Sequence, residues 1–505
     1  MLSQLYSASL VGLDCKLITV EVDYRRGNYA FHIVGLGDKS VQESKERVSA
    51  AIKNSGFQFT PMVIIANLAP AELPKSGSMY DLPIALGYLS SSGQLIADFA
   101  KSMFVGELGL DGSLKRVNGI LSITDFALKS GFKEIYVPFD NYEEASYING
   151  IKINAVKCLK DLVWHLQGFC ELEKVTTTPA AQAKAIATID FSEIKDQYHA
   201  KKALEICAAG GHNIILHGPP GSGKTMLSKA LPGIMPNLTI EESIEVTKIY
   251  SISGLTNEKI SLIKTRPFRS PHHTASYSAL IGGGIYPKPG EISLAHRGVL
   301  FLDEFPEFSN ASIEALRQPL EDRVVTVSRV NATLTYPANF ILVAAMNPCK
   351  CGFYGDSHNK CTCSIMDLNR YKSRLSGPIL DRIDLSVNVP KVENSKLFKD
   401  INIENSDTIK YRVQMARDMQ LKRYKDLNII CNSELKQSDF GKYLKMNPDA
   451  QEYLELATSK INMSARAVYK LMRVSRTIAD LAQSLEIQKK HLLEAFSYRV
   501  NSLKD

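Results

Sequence analysis

No stretch of this 505-residue sequence is apolar for long enough to cross a bilayer. Its first residues, MLSQLYSASLVGLDCKLI, lack the basic start and small-residue cleavage site of a secretory signal, so a cytoplasmic protein is the expectation. Neither sign of charge is in large excess. Sixty Lys and Arg against 53 Asp and Glu leave +7, a bias compatible with an anionic partner but not specifying one. Cysteine is too sparse for a disulfide scaffold: of nine, Cys15, Cys158, Cys170, Cys207 and Cys431 are scattered as buried or incidental thiols. There is no internal repeat. What remains is an ordinary globular composition, 45% apolar, in a chain long enough for two or three domains.

Residues 1–170 alternate strand-like runs (LITVEVDY, FHIVGL, VIIANLAP) with helical spacing, as in VQESKERVSAAIKNSG, and read as a mixed α+β domain. The small, polar stretch 171–190, ELEKVTTTPAAQAKAIATID, reads as a linker. Residues 191–390 follow a strand–loop–helix, α/β pattern around a nucleotide signature. Residues 391–505 have little strand character, and NPDAQEYLELATSKIN, ARAVYKLMRVSRTIADLAQS and QKKHLLEAFSYRV carry 3.6-period apolar faces, so a helical domain is expected.

The signature is NIILHGPPGSGKTMLSKAL, 213–231: an apolar strand, the loop Gly218-Pro219-Pro220-Gly221-Ser222-Gly223-Lys224-Thr225-Met226, then an amphipathic helix. Glycines let backbone N–H groups turn inward around phosphate oxygens, at the positive end of the following helix. Lys224 then reaches the β- and γ-phosphates, and the Thr225 hydroxyl binds Mg²⁺. In RGVLFLDEFPEF, 297–308, two carboxylates follow four apolar residues. A buried strand ending there offers Asp303 to the Mg²⁺ shell and Glu304 to an attacking water. Together these motifs imply ATP binding and hydrolysis.

HGPPGSGKT, GVLFLDEF, VAAMNPCKCG and SGPILDRIDL resemble the AAA+ ATPases of the magnesium-chelatase-like group. With TRPFRSPHHTASYSALIGGG and SARAVYKLMRVSRTIADL, the resemblance extends along the whole chain to the YifB/ComM competence-protein family. It implies a P-loop core with a helical lid, working as a homo-hexamer. It also assigns roles: Asn347 as the sensor that orients the water, Arg382 as an arginine finger entering a neighbour's site, and Arg466 as the lid sensor that contacts the γ-phosphate. DRVVTVSRVNATLTYPANF, 322–340, reads as a β-hairpin with Arg329 near its tip. In related motors such a hairpin grips DNA in the ring channel, which makes Arg329 a candidate phosphate contact.

The first domain carries a second resemblance, to the Lon-protease-like fold (ribosomal S5 domain 2-like). LPKSGSMYDLPIALG and GELGLDGSLKRVNGILS match the loops that bear a serine and a lysine there, but those positions fall on Met79 and Leu121, with Ser78 and Lys115 offset. Peptide hydrolysis then lacks its nucleophile and base. A ring-forming or DNA-handling platform is expected instead.

Four more cysteines crowd into NPCKCGFYGDSHNKCTC: Cys349, Cys351, Cys361 and Cys363. Four thiolates suffice for a structural zinc site, although C-x-C is a less usual spacing, and His358 is a candidate substitute ligand. Unligated thiols packing a surface loop are the other reading. For function, the resemblance implies an ATP- and Mg²⁺-dependent DNA motor promoting branch migration of recombination intermediates in natural transformation. Single-stranded and branched DNA would be its partners, with recombination proteins possible. A porphyrin-directed metal-chelatase ATPase with partner subunits and an ATP-dependent unfoldase are the competing readings.

Overall fold

The computed structural model describes residues 2–499 except 61, 74, 76, 174–188, 257–261, 285–286, 330–331, 356–358, 393–403, 428 and 462. Most of the expected linker therefore lies outside the described residues. The chain forms two units. One comprises Met1–Gln182 with Ser243–Ile263, the other Ala183–Glu242 with Lys264–Asp505.

The first unit is built on a seven-stranded mixed sheet. Its spatial order is Ala30–Val34, Val63–Ala69, Asp14–Arg25, Leu2–Val11, Ser102–Phe104, Glu134–Pro138, Lys152–Val156. Leu2–Val11 and Asp14–Arg25 form an antiparallel hairpin, paired from Leu2↔Asp23 to Val11↔Asp14. Leu5, Ile18, Val20 and Val22 lose all exposure on this hairpin, each such side chain contributing about 1.5–3 kcal/mol of transfer free energy. Helix Asp81–Ser91 is apolar nearly all round and accordingly buried nearly all round. Its one carboxylate, Asp81, meets Arg47 at 2.7 Å.

Met79 and Leu121 both lie in this core, with no chemistry to offer. Ser78 donates its hydroxyl proton to Glu107, and Lys115 is exposed.

The sequence pattern leaves residues 243–263 within the nucleotide-binding region, yet they pack with the first unit. The reason is polar as well as apolar. Lys248 reaches Asp125 at 2.6 Å, and Ser251 Oγ donates to Glu144 Oε1 at 2.5 Å while accepting from the Gly119 N–H at 2.8 Å. Arg116 closes the group, bonding Glu144 at 2.6 Å and Thr256 at 3.3 Å.

The second unit holds a five-stranded parallel sheet in the order Phe268–Arg269, Val299–Leu302, Ile341–Met346, Ile214–His217, Leu385–Asn388. Val299–Leu302 and Ile341–Met346 are buried at every position, which is why both read as continuous apolar runs. Beyond the sheet come helices Pro448–Ile461, Ala465–Leu481 and Lys489–Ser497, on the segments with apolar residues at helical spacing, and Ser406–Arg423, which that spacing does not mark. They share one apolar core with the sheet, running from Ile214 and Val343 to Val413 and Ile478. A buried polar chain runs through it: Asp384 to His212 at 3.4 Å, His212 to Thr477 at 2.8 Å, and Thr477 to Asn432 at 2.9 Å.

Asp190 caps the entry to this unit, accepting from the N–H groups of Ser192 at 2.8 Å and Ser406 at 3.2 Å. Desolvation opposes its charge, but these hydrogen bonds prevail and hold the carboxyl down at about 2. A depressed folded value stabilises above the unfolded value, near 4, and that stabilisation drains as pH falls towards 2. Asp190→Ala should therefore cost about 1 kcal/mol at pH 7. Thermal-unfolding midpoints at pH 7 and pH 3 should show the gap between variant and parent narrowing in acid. An equal gap at both would remove the charge from the account.

Candidate nucleotide-binding site

Strand Ile214–His217 delivers the phosphate loop, and helix Lys224–Ile234 leaves it. Gly218 is required by close approach: a Cβ there would fall 2.1 Å from the Val389 carbonyl oxygen, just past the neighbouring strand Leu385–Asn388. The helix N-terminus faces the loop, so its unpaired N–H groups supply the positive field for phosphate. Lys224 is nearly buried. Desolvation lowers its pKa, with Asp303 opposing. Its ammonium donates to the carbonyls of Gly218 at 2.8 Å and Pro219 at 2.9 Å, and to Asn347 Oδ1 at 3.2 Å.

Thr225 Oγ1 donates to Asp303 Oδ2 at 3.0 Å. These two oxygens, a hydroxyl and a carboxylate at the mouth of a phosphate loop, are the donor set a hard cation such as Mg²⁺ takes. Asp303 also accepts from the Glu304 N–H at 2.9 Å. Glu304 itself stands in the left-handed region, at φ +50°, an unusual place for a non-glycine residue. Its carboxylate lies 3.1 Å from His273 Nδ1. Lys224, Thr225, Asp303, Glu304 and Asn347 are thus brought together at the C-terminal ends of three adjacent strands.

Arg382 and Arg466 are brought together elsewhere. Both guanidinium groups bond the carboxylate of Glu321, Arg466 at 3.3 Å, and Arg382 also donates to the Pro378 carbonyl at 2.6 Å. Arg382 Nε is buried without a hydrogen-bond partner among the described residues. Among the described residues neither Asp381 nor Asp384 pairs with Arg382; Asp384 takes His212 and the Asn213 N–H.

Residues that sequence reasoning missed include Gln197, His273 and Glu321. Gln197 is buried at φ +59° and donates from Nε2 to the carbonyls of Pro390 at 2.6 Å and Ser222 at 3.4 Å, tying the loop to the unit's entry and to the strand end. His217, at the base of the loop, has its pKa lowered by burial and then by Lys224. His217 alone had a local signal, a polar residue at the end of the apolar run Ile214–Leu216.

The hairpin forms as expected, Val324–Arg329 with Ala332–Pro337, paired from Val324↔Pro337 to Arg329↔Ala332; its tip, 330–331, lies outside the described residues. A second, shorter antiparallel ribbon pairs Gly282–Gly283 with Lys288–Pro289. The two pack together: Tyr336 donates its hydroxyl proton to the Pro287 carbonyl at 2.6 Å, and the exposed Arg329 lies against Gly283.

The four clustered cysteines converge, their sulfurs all within 4.8 Å of one another. Cys349 is fully buried, and its sulfur accepts from the Tyr354 N–H at 3.3 Å. His358 lies outside the described residues.

A phosphate loop, an acidic strand end and a polar strand end meeting on a parallel sheet define a P-loop nucleotide-binding protein. Comparison with known families narrows this. Residues 190–397 match "Magnesium chelatase, subunit ChlI", 20–141 match "Subunit ChlI of Mg-chelatase", and 403–499 match "Magnesium chelatase, subunit ChlI C-terminal". Among full-length relatives, YifB of Escherichia coli K12 is 43% identical over 500 residues, covering 99% of this chain and 97% of the relative. Competence protein ComM of Haemophilus influenzae is 42% identical over 505 residues, with the same coverage. The magnesium-chelatase 67 kDa subunit of Chlorobaculum parvum is 26% identical over 166 residues, 32% of this chain and 23% of the relative. The chain belongs to the magnesium-chelatase-like AAA+ family that includes YifB and ComM. Among the described residues, no helix is long and apolar enough to cross a membrane.

Proposed function

We propose that this protein is an ATP-hydrolysing DNA motor of the cytoplasm that works as a homo-hexamer and drives branch migration of recombination intermediates during natural transformation. The observation that carries the reading is the likeness, over 99% of the chain, to a protein named for competence. Two features of the chain support it. The site joins a phosphate loop to the carboxylate of Glu304, which His273 holds at 3.1 Å beside it. The finger candidate Arg382 bonds Glu321 and Pro378, and no hydrogen bond joins it to Lys224, Asp303 or Asn347 among the described residues.

In this mechanism, loop N–H groups and Lys224 take the β- and γ-phosphates. Thr225 and Asp303 hold Mg²⁺, which when bound offsets phosphate charge. Glu304 draws a proton from the attacking water while Asn347 orients it. Arg382 of a neighbouring copy meets the charge developing on the γ-phosphate, and Arg466, sharing a carboxylate with Arg382, acts beside it. The hairpin and ribbon, with Arg329 exposed, contact a DNA backbone. The first unit, Lon-like in pattern but without the serine and lysine, serves as a platform.

Cys349, Cys351, Cys361 and Cys363 hold a structural Zn²⁺. Three of their separations are 3.3, 3.5 and 3.8 Å, against about 3.8 Å for sulfurs at the corners of a tetrahedron around zinc.

The family's name favours one other reading, an ATPase serving metal insertion into a porphyrin. ATP hydrolysis measured with no DNA, single strand, duplex or a four-way junction separates the two. Stimulation by the junction, with ATP-dependent conversion of the junction to duplexes on a gel, is expected. The stimulation should fall steeply with salt, because backbone contacts dominate. An ATPase indifferent to every DNA but stimulated by porphyrin would overturn the motor.

A further inference from the structure

The four-cysteine cluster stands in direct register with the nucleotide site. Asn347, which receives Lys224, precedes Cys349 by two residues. Gly352, next to Cys351, has φ +87°, and its α-carbon is pressed on the phosphate loop: a Cβ there would meet Pro220 Cγ at 2.6 Å and Cδ at 2.7 Å. On the far side, Cys363 leads into helix Ile365–Ser373, whose cap is Ser364 accepting from the Asp367 N–H at 3.2 Å. Tyr371 of that helix is buried. Arg374, just past the helix, donates to the Pro306 carbonyl at 3.0 Å and to Glu307 at 2.6 Å, beyond the Asp303–Glu304 strand end. The chain then runs on to Ser376, which donates to Glu314 at 2.9 Å, and to Arg382.

The cysteines therefore close the base of a segment that touches three parts of the site. It abuts the phosphate loop at Pro220, the sensor position at Asn347 and the acidic strand end at Pro306–Glu307. Its two ends are brought together by side chains that do not interlock: thiols offer weak hydrogen bonds and, in a partly exposed loop, little apolar burial. Four thiolates packed this closely without a cation would repel one another, whereas a Zn²⁺ ion converts that repulsion into four bonds.

We propose that the Zn²⁺ is a clasp on nucleotide binding: by joining Cys349 and Cys351 to Cys361 and Cys363, it holds Gly352 against Pro220 and Asn347 beside Lys224, so that the phosphate loop keeps the shape that takes ATP. The proposal rests on the zinc reading above and adds a role to it. The cysteines are positioning residues and touch no phosphate. Metal occupancy thereby sets nucleotide affinity, and removal of zinc silences the site while the two cores, which the cluster does not enter, stay folded.

The test uses the full chain, purified without chelator, with zinc counted by elemental analysis and affinity for ADP measured by equilibrium titration of a fluorescent ADP analogue. Circular dichroism follows the fold. One zinc per chain is expected. Cys361→Ser/Cys363→Ser should lose the zinc and weaken ADP binding by about tenfold or more, the scale on which shifted supporting groups act. Gly352→Ala, which crowds Pro220 without altering a ligand, should keep the zinc and weaken ADP to a similar degree. Wild-type protein stripped by chelator should lose affinity and regain it with Zn²⁺ but not Mg²⁺. Absence of zinc from the purified protein, and no uptake on reconstitution, would remove the metal and the clasp together. Stoichiometric zinc, lost in the serine variant with ADP affinity unchanged, would leave the metal and overturn the clasp.

Discussion

Replacing Glu304 by Gln should lower ATP turnover by about 10²–10⁴-fold while leaving ATP affinity at the wild-type level. The range is that of losing a positioned general base. Affinity should survive because the groups assigned to the phosphates and to Mg²⁺ are untouched: Lys224 keeps Gly218, Pro219 and Asn347, and Thr225 keeps Asp303. Gln retains an oxygen that accepts from His273 if the imidazole donates, so the local fold at φ +50° has no new reason to shift. Lys224→Ala is the contrasting variant, expected to abolish nucleotide binding itself. Single-turnover hydrolysis beside equilibrium binding distinguishes the two, and near-normal turnover in Glu304→Gln would strip that residue of its role.

Arg382→Ala carries the second large effect, a fall in turnover of about 10³–10⁵-fold, as for an arginine that meets the transferring phosphoryl group. Its partner in the single chain, Glu321, lies 61 residues earlier, and its Nε is buried without a hydrogen-bond partner among the described residues. Its contacts with Glu321 and the Pro378 carbonyl do not involve the phosphate loop of the same chain. Mixing is the decisive measurement. Arg382→Ala and Lys224→Ala should each be inert alone. Combined, they should regain activity, since an intact loop on one copy then meets an intact arginine on another. Mixtures as inert as their components would confine Arg382 to its own subunit or to a structural ion pair.

The candidate nucleotide site was legible in the sequence where its residues lie close together in the chain. Gly218 to Thr225 sit between an apolar strand and a helix, and Asp303–Glu304 end four apolar residues, because strand ends and helix starts are adjacent in the chain. The runs Val299–Leu302 and Ile341–Met346 read as strands, and they are apolar throughout because a parallel sheet is covered on both faces. Glu321 was not readable. It looks like any helix-surface carboxylate until the fold places it between Arg382 and Arg466. His273 and Gln197 likewise owe their roles to neighbours 31 and 193 residues away, Glu304 and Pro390. The affinity of Ser243–Ile263 for the first unit was hidden too. It rests on Lys248, Ser251 and Thr256 finding partners on elements made more than a hundred residues earlier.

That last arrangement bears on how the protein is made. Glu144, Arg116 and Asp125 emerge early in synthesis and pair with one another or with Lys129, but Ser251, Thr256 and Lys248, which complete their hydrogen bonding, follow only after Gly218–Lys224 has been translated. Domains of a nascent chain generally fold as units in the order they leave the ribosome. Here the first unit waits, its buried carboxylate at Glu144 short of the Ser251 hydroxyl, until Ile263 is out. A fragment ending at Gln182 would carry that deficit permanently, and a shortened first domain meant for separate expression needs the later segment joined back to it.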